Sequence, residues 1–216
     1  REGVSAVLPD DALEPPDLAT FQGLVAREIG KMDAKASPGF DVVPAPFIKF
    51  AVVMRPLLNG RGFVRHHVLS SFIAQLFKLM FESARIPDDW KKAKMAPLYK
   101  KGAFLDPNNY RMLAVSGTMY RVYANVLRAL VTDWCMRENK IPDVQFVFGP
   151  GRSTMQPCFI LRHLQHAARL RKARLHAAFI DFKQAYDTIP RQALWRHLQS
   201  IRMPSPFLAV KKKGHV

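Results

Sequence analysis

The spacing of apolar residues along the chain predicts a mostly helical protein with a small sheet. Two signals predict helices: apolar residues at three- and four-residue steps, and residues that commonly begin a helix. The predicted helices are residues 21–35, 68–81, 118–138, 155–172 and 191–201. Segments 94–99 and 111–115 are typical of short strands, and a turn-rich stretch joins them into a hairpin. The apolar run 175–182 predicts a buried strand. The predicted fold class is therefore α/β.

Composition divides the chain into four parts. Residues 1–19 are acidic, contain two adjacent prolines and lack periodicity, which favours a leader or linker. Residues 20–174 contain most of the predicted helices and the hairpin. Residues 175–210 contain the apolar run and the last helix, and residues 211–216 form a basic tail that departs from the apolar pattern.

The charge balance predicts a polyanionic partner. The chain has 33 Lys and Arg residues against 17 Asp and Glu residues, a formal net charge of +16. Such a charge repels itself unless a partner neutralises it, which favours nucleic acid, with a membrane surface well behind. No apolar run is long enough to span a membrane. Cys135 and Cys158 lack the spacing of a disulfide framework or a zinc site, and the start of the chain lacks a signal-peptide pattern, so we expect an intracellular protein of the nucleus or cytoplasm.

The segment 177–187 carries the most informative chemistry. An apolar strand that ends in a carboxylate, here Asp181, is a way to hold a metal ion on a rigid element. An Asp at a strand end also caps the following turn in many proteins, and the pattern alone leaves both interpretations open.

Five blocks of the sequence resemble, in the same order, those of reverse transcriptases of the non-LTR retrotransposon (LINE-like) and group II intron type. The first palm motif of that family is similar to Phe-Ile-Asp-Phe-Lys-Gln-Ala-Tyr-Asp at 179–187. The fingers blocks are similar to Lys-Ala-Ser-Pro-Gly-Phe-Asp at 35–41, Ile-Pro-Asp-Asp-Trp-Lys at 86–91, Pro-Leu-Tyr-Lys-Lys-Gly at 97–102 with Asn-Tyr-Arg at 109–111, and the segment 145–154. The resemblance implies a partial right-hand polymerase fold: mostly helical fingers with a small sheet, plus the first palm strand and helix.

The resemblance also implies roles for individual residues. Asp181 would bind the catalytic Mg²⁺ ions together with the backbone carbonyl of Phe182, and Tyr186 would be the steric gate against a 2′-hydroxyl. Arg111 and one of Lys100 or Lys101 would hold the nucleotide triphosphate, for which bidentate Arg and point-charge Lys are suited. The template RNA would contact Arg152, Ser153, Lys91, Lys92 and Lys94.

Each of these roles has a simpler alternative. Tyr186 is also a plausible core aromatic residue, Lys100 and Lys101 a solvated turn, and Arg152 with Ser153 the start of a helix. Val147 replaces a Gly of the family block and Met112 replaces a Pro, so we expect distortion of the loop near residue 148 and of the strand after Arg111.

The second metal-binding motif of the family, an aromatic residue, any residue and two aspartates, is absent from the sequence. One carboxylate and one carbonyl do not hold two Mg²⁺ ions against water. We therefore expect a truncated reverse-transcriptase fragment, an RNA-directed DNA polymerase in lineage that is inactive as it stands. The partners expected from the resemblance are RNA template, DNA primer and deoxynucleotides. The alternative is a basic RNA-binding remnant or a maturase-like module without catalysis.

Overall fold

The computed structural model describes residues 16–56, 62–147, 149, 151–182 and 188–213. These residues form two compact units. The first unit contains the chain up to Val131 and again from Arg202, and the second contains Thr132–Ile201. Most of the predicted leader 1–19 and residues 214–216 of the predicted basic tail lie outside the described residues.

Helices and small antiparallel sheets make up the described chain, which confirms the mixed α/β class. The helices are α1 Leu18–Lys31, α2 Ala45–Lys49, α3 Ser70–Ser83, α4 Thr118–Arg137, α5 Met155–Leu170, α6 Arg191–Ser200 and α7 Ser205–Lys213. The strands are β1 Val52–Pro56, β2 Phe63–His67, β3 Ala93–Tyr99 and β4 Tyr110–Ser116. Strand β1 pairs with β2 and β3 pairs with β4, each as an antiparallel hairpin.

The predicted helices are confirmed, with shifted ends. Helix α1 begins three residues earlier than predicted because the carboxylate of Asp17 caps it, accepting a hydrogen bond of 2.8 Å from the backbone N–H of Thr20. It ends at Lys31, before the Pro and Gly at 38–39 that forbid continuation. The two predicted strands of the β3–β4 hairpin are confirmed to within one residue at each end.

An aromatic cluster forms the core of the first unit. Phe21 of α1 and Phe77 and Phe81 of α3 are almost completely buried. The Phe77 ring lies 5.0 Å from the ring of Tyr123 in α4, and the Phe81 ring lies 5.3 Å from that of Phe207 in α7. Helix α7 was not predicted, yet it returns to this core and closes it beside α3.

The predicted strand at 175–182 is wrong. These residues have no regular secondary structure and all are exposed; Phe179 and Ile180 keep 82% and 83% of their accessible surface. The composition of the run suits a strand, but an extended segment gains strand hydrogen bonds only from a neighbouring strand. No strand among the described residues pairs with it. The first palm strand expected from the resemblance is therefore not formed.

The β1–β2 hairpin and helix α2 were missed by the sequence analysis. The strands carry Val-Val-Met-Arg-Pro and Phe-Val-Arg-His-His, in which charged residues and proline interrupt the alternation that marks a half-buried strand. Their pairing is nevertheless regular, from Val52 opposite His67 to Pro56 opposite Phe63.

Candidate nucleic-acid interface

A close backbone contact fixes the base of the β3–β4 hairpin. A Cβ atom added to Gly39 would lie 2.4 Å from the backbone nitrogen of Gly117, the residue that joins β4 to α4. The carboxylate of Asp41 accepts a hydrogen bond of 3.2 Å from the N–H of Met119 in the first turn of α4, and the buried Thr118 hydroxyl donates one of 2.7 Å to the Val43 carbonyl. The segment at 35–41, one of the blocks that resemble the family, thus holds β4 in place.

The strand register determines which side chains of the hairpin share a face. Lys94 lies opposite Val115, and Leu98 lies opposite Arg111. Because side chains alternate between the two faces of a strand, Lys94, Leu98 and Arg111 lie on one face. The backbone N–H of Lys100 donates a hydrogen bond of 2.8 Å to the Asn109 carbonyl, so the pairing extends by one residue and places Lys100 on the same face, diagonal to Arg111.

Three aromatic rings pack together at the tip of the hairpin. The ring centroids of Tyr99, Phe104 and Tyr110 are 5.5 to 6.0 Å apart. The Tyr99 hydroxyl donates to the Gly102 carbonyl at 2.5 Å, and the Tyr110 hydroxyl donates to the Phe104 carbonyl at 2.8 Å. The sequence analysis missed this cluster. The only signal it offered was three aromatic residues within and beside a turn-rich stretch.

The tip also depends on one glycine. Gly102 has a φ of +101°, a conformation that other residues adopt with strain. A Cβ atom there would lie 2.6 Å from the side-chain nitrogen of Asn109, which donates a hydrogen bond of 2.9 Å to the Ala103 carbonyl. Residues 100–109 therefore form a loop of defined shape.

The basic residues around the hairpin differ in how far their charge is neutralised. Lys91 and Lys92 pair with Asp88 and Asp89 at 2.7 and 2.8 Å. The hydrogen bond from Lys91 lowers the pKa of Asp88, and the hydrogen bond to Asp89 raises the pKa of Lys92. The excess positive charge near the hairpin therefore comes from other residues.

In contrast, the hairpin cations form no ion pair among the residues that the structure describes. This set consists of Lys94, Lys100, Lys101 and Arg111. The ammonium of Lys94 lies 5.5 Å from the centre of the Phe40 ring, a cation–π contact that positions the charge without neutralising it. These four residues give the hairpin a positive potential suited to phosphate groups.

The predicted template residues of the second unit lie before α5. Arg152 forms an ion pair of 2.6 Å with Asp143, and the backbone N–H of Ser153 donates to the Gln156 side chain at 3.1 Å. Thr154 occupies the N-cap position without a side-chain cap hydrogen bond. These contacts hold the start of α5, and the role of Arg152 and Ser153 in binding template stays a prediction.

The predicted metal ligands are exposed. Asp181 and Phe182 lie in the segment without regular structure, and Tyr186 lies outside the described residues. Over the parts of the chain that the structure describes, no group of three or more His, Cys, Asp or Glu side chains comes together. One carboxylate and one carbonyl leave most of the octahedral positions of Mg²⁺ without a protein ligand. The described donors do not complete a magnesium site.

Two further expectations have different outcomes. The distortion expected at Met112 is wrong, because Met112 pairs with Pro97 in an uninterrupted register; the hairpin has free edges, so a proline at either position would not break the ladder. The expectation for the loop after Val147 concerns residue 148, which lies outside the described residues. Cys135 and Cys158 form no disulfide bond among the described residues. None of the described helices is long and apolar enough to cross a membrane.

Comparisons with known proteins identify the family. The family model described as "Reverse transcriptase (RNA-dependent DNA polymerase)" matches residues 98–215, more than half of the chain. The chain is 24% identical over 190 residues to "Probable RNA-directed DNA polymerase from transposon BS" of Drosophila melanogaster, which covers 87% of this chain and 19% of that protein. It has the same identity and coverage with "RNA-directed DNA polymerase from mobile element jockey" of Drosophila melanogaster.

A third relative is "Transposon TX1 uncharacterized 149 kDa protein" of Xenopus laevis, 25% identical over 188 residues, which are 87% of this chain and 13% of that protein. The chain thus spans a fifth or less of the length of these relatives. The family model begins inside β3 and includes the hairpin tip, Arg111 and Asp181. The resemblance to reverse transcriptases of non-LTR retrotransposons is confirmed, and the chain belongs to the reverse transcriptase (RNA-dependent DNA polymerase) family.

Proposed function

We propose that this chain is part of the polymerase of a retrotransposon and serves in RNA-directed DNA synthesis. The observation that carries the proposal is the hairpin face on which Lys94, Lys100 and Arg111 lie together, without an ion pair among the described residues. A nucleotidyl-transfer enzyme needs fixed cations on the phosphates of its substrate, because negative charge develops there during the reaction. A partial right-hand polymerase fold, without the first palm strand, is part of the same proposal.

The hairpin residues have distinct roles in this proposal. Arg111 binds the triphosphate of a deoxynucleotide through its planar guanidinium, and Lys100 or Lys101 supplies a point charge on a neighbouring phosphate oxygen. The antiparallel register supports the pairing of Arg111 with Lys100, because diagonal neighbours on one face of a hairpin are within reach of long side chains.

The remaining roles rest on family membership. Asp181 and the carbonyl of Phe182 bind Mg²⁺, Tyr186 excludes a 2′-hydroxyl, and Lys91, Lys92, Lys94, Arg152 and Ser153 contact the RNA template. The ion pairs of Lys91, Lys92 and Arg152 must open or rearrange for such contacts, so we expect these three residues to contribute less to RNA affinity than the unpaired hairpin cations.

Nucleotide binding by the chain tests the proposal directly. Labelled deoxynucleoside triphosphate binding is measured by equilibrium dialysis with Mg²⁺ for the unchanged chain, Arg111→Ala and Arg137→Ala. Arg137 is a matched control, because it is an exposed arginine paired with Asp133 at 3.0 Å in α4. We expect Arg111→Ala to weaken binding about tenfold or more, the loss of one charge-assisted bidentate contact, and Arg137→Ala to leave it unchanged. Equal losses in both variants would contradict the assignment of Arg111.

Primer extension on an RNA template separates polymerase activity from RNA binding alone. The assay compares the chain with Asp181→Ala in the presence of Mg²⁺ and measures RNA binding at two salt concentrations in the same samples. Extension that disappears in Asp181→Ala supports the metal role and refutes the predicted inactivity of the chain. RNA binding without nucleotide binding or extension would favour the alternative, a basic RNA-binding module.

A further inference from the structure

The end of helix α5, in the second unit, carries a dense group of cations. Residues 144–180 contain six Lys and Arg residues and no Asp or Glu. Four of the six lie within residues 169–174, and they are called the α5 cation cluster: Arg169, Arg171, Lys172 and Arg174. All four are exposed, and none forms an ion pair among the described residues. The cluster is therefore a concentrated positive charge without a counter-charge in the described chain.

Hydrogen bonds of the backbone fix the shape of this cluster. The N–H of Lys172 donates a hydrogen bond of 3.1 Å to the Arg169 carbonyl, and the N–H of Ala173 donates one of 2.9 Å to the Ala168 carbonyl. This pair of bonds is the Schellman motif, which closes the C-terminus of many helices. Lys172 takes the left-handed position of the motif, with a φ of +50°, where Gly or Asn is usual. Stability of the helix end therefore does not account for a lysine there.

The helix dipole accounts for only part of the cluster. Cations in the last turn of a helix stabilise it, because the carbonyl groups there carry partial negative charge. This effect applies to Arg169 and to Arg171, the C-cap residue. It falls off beyond that turn, and Arg174 lies three residues past the cap. A partner with closely spaced negative charges would interact with all four residues.

The cluster suits a phosphate backbone better than it suits unpaired bases. Residues 161–178 contain no Phe, Tyr or Trp. The neighbouring sequence therefore offers no ring on which the bases of a single strand could stack. A duplex carries one negative charge per about 1.7 Å of its axis, which is twice the density of one strand. Arginine binds phosphate through two parallel hydrogen bonds, and lysine supplies a point charge.

We propose that the α5 cation cluster binds the phosphate backbone of double-stranded nucleic acid, without regard to sequence. The site is separate from the predicted template residues Arg152 and Ser153. Those residues precede the other end of this 16-residue helix, about 24 Å away at 1.5 Å per residue. The inference goes beyond the proposed function, because it concerns neither nucleotide binding nor the hairpin. Backbone contacts of this kind hold a protein on a duplex but read none of its bases.

Binding of short fluorescent duplexes to the whole chain tests the proposal by anisotropy at several salt concentrations. The ligands are a DNA duplex and an RNA–DNA hybrid of equal length, each made in two unrelated sequences. The chain is compared with Lys172→Gly and with the triple variant Arg171→Ala/Lys172→Gly/Arg174→Ala. Arg196→Ala is the matched control, because Arg196 is an exposed arginine of the second unit without an ion pair among the described residues.

We expect the triple variant to bind every duplex at least about tenfold more weakly at about 0.1 M salt. The magnitude of the slope of log affinity against log salt concentration should fall by about 0.9 for each lost contact. Lys172→Gly should lower this slope by one contact and leave the melting temperature equal or higher, because glycine adopts a positive φ without strain. A purely structural role of Lys172 would lower the melting temperature instead. Arg196→Ala should change neither affinity nor slope.

Binding of deoxynucleoside triphosphate is measured in the same variants, so that failure of this inference and failure of the proposed function are distinguishable. The expected result is a loss of duplex affinity in the triple variant with unchanged nucleotide binding. An unchanged duplex affinity and slope in the triple variant, or an equal loss in Arg196→Ala, would overturn the duplex site and leave the proposed function intact.

Two other outcomes are also decisive. Cluster-dependent duplex binding by a chain that binds no nucleotide would support the duplex site and overturn only the proposed role of Arg111. Binding of polyglutamate that depends on the cluster, with duplex binding that does not, would assign the cluster to an acidic protein segment and overturn the inference.

Discussion

Replacement of Gly39 by alanine should destabilise the first unit by breaking the joint between the hairpin and α4. The added Cβ would lie 2.4 Å from the nitrogen and 2.6 Å from the Cα of Gly117, and 2.6 Å from the carbonyl carbon of Ser116. All three atoms belong to the backbone, so no side-chain rotation relieves the contact. The two segments must move apart instead.

The required movement can be read from the distances. Ordinary van der Waals contact begins at 3.4 Å, about 1 Å beyond the closest approach of the added Cβ. A displacement of that size lengthens the Thr118–Val43 hydrogen bond from 2.7 Å to beyond hydrogen-bonding range, and Thr118 is fully buried. Overpacking and loss of a buried hydrogen bond each cost about 1–3 kcal/mol, so we expect the free energy of unfolding to fall by about 2–4 kcal/mol.

Gly23→Ala is the matched control, because it adds the same methyl group at a position with free space. Gly23 lies inside α1, and nothing lies within 4 Å of a Cβ atom built on it. The substitution is chemically the same, but in an open helical position it stabilises by about 0.5–1 kcal/mol. The two variants should therefore shift the midpoint of urea unfolding, followed by far-ultraviolet circular dichroism, in opposite directions. A midpoint for Gly39→Ala equal to or above that of the unchanged chain would refute the close approach at Gly117.

Three further predictions concern the core, a helix cap and the charge of the hairpin. Phe77→Ala should lower the free energy of unfolding by about 3–5 kcal/mol because the Phe77 ring is fully buried. Phe72→Ala, on the exposed side of the same helix, should change this free energy by less than about 0.5 kcal/mol. Equal urea midpoints for the two variants would contradict the assignment of Phe77 to the core. Asp17→Ala should lower the melting temperature at neutral pH. The folded-state pKa of Asp17 is lowered from 3.8, mainly by its hydrogen bond with Thr20, so the stabilisation by the carboxylate is present above 3.8 and disappears as the pH falls through the folded-state value. A melting difference that persists in strong acid would argue against the cap. Affinity for single-stranded RNA falls with salt concentration, and Lys100→Ala should reduce the slope of log affinity against log salt concentration by about 0.7. Lys92→Ala should reduce this slope by less, because Asp89 already neutralises Lys92. Identical slopes for the two variants would contradict this difference.

The sequence predicts a helix or strand correctly where the residues of that element determine its structure by themselves. The β3–β4 hairpin was predicted to within one residue because alternation, turn residues and length agree at 93–99 and 110–116. The run 175–182 shows the opposite case. Its composition is that of a strand, but pairing depends on a neighbour elsewhere in the chain, and composition carries no information about that neighbour.

One part of the candidate site could be predicted from the sequence, and another part could not. The closeness of Lys100 and Arg111 follows from an antiparallel register that the hairpin pattern already contains. The aromatic cluster of Tyr99, Phe104 and Tyr110 does not, because it requires the loop to turn Phe104 back over the strand ends. That path depends on the positive φ of Gly102 and on the hydrogen bonds of the tyrosine hydroxyls to loop carbonyls, which no periodic pattern encodes.

The sequence blocks that resemble the family contain two kinds of residue, those that contact the core of the first unit and those that are exposed. Asp41 and Trp90 come from such blocks, and both make contacts inside the first unit: Asp41 with the first turn of α4, and the Trp90 ring with those of Phe77 and Tyr123 at 6.2 and 6.0 Å. Lys100 and Arg111 come from similar blocks but are exposed. Loss of an aromatic contact with the core changes the free energy of unfolding, whereas loss of an exposed, unpaired cation changes the affinity for an anion and leaves stability nearly unchanged. Asp41 and Trp90 therefore stabilise the fold of the first unit, whereas the proposed phosphate binding depends on the exposed cations of the hairpin.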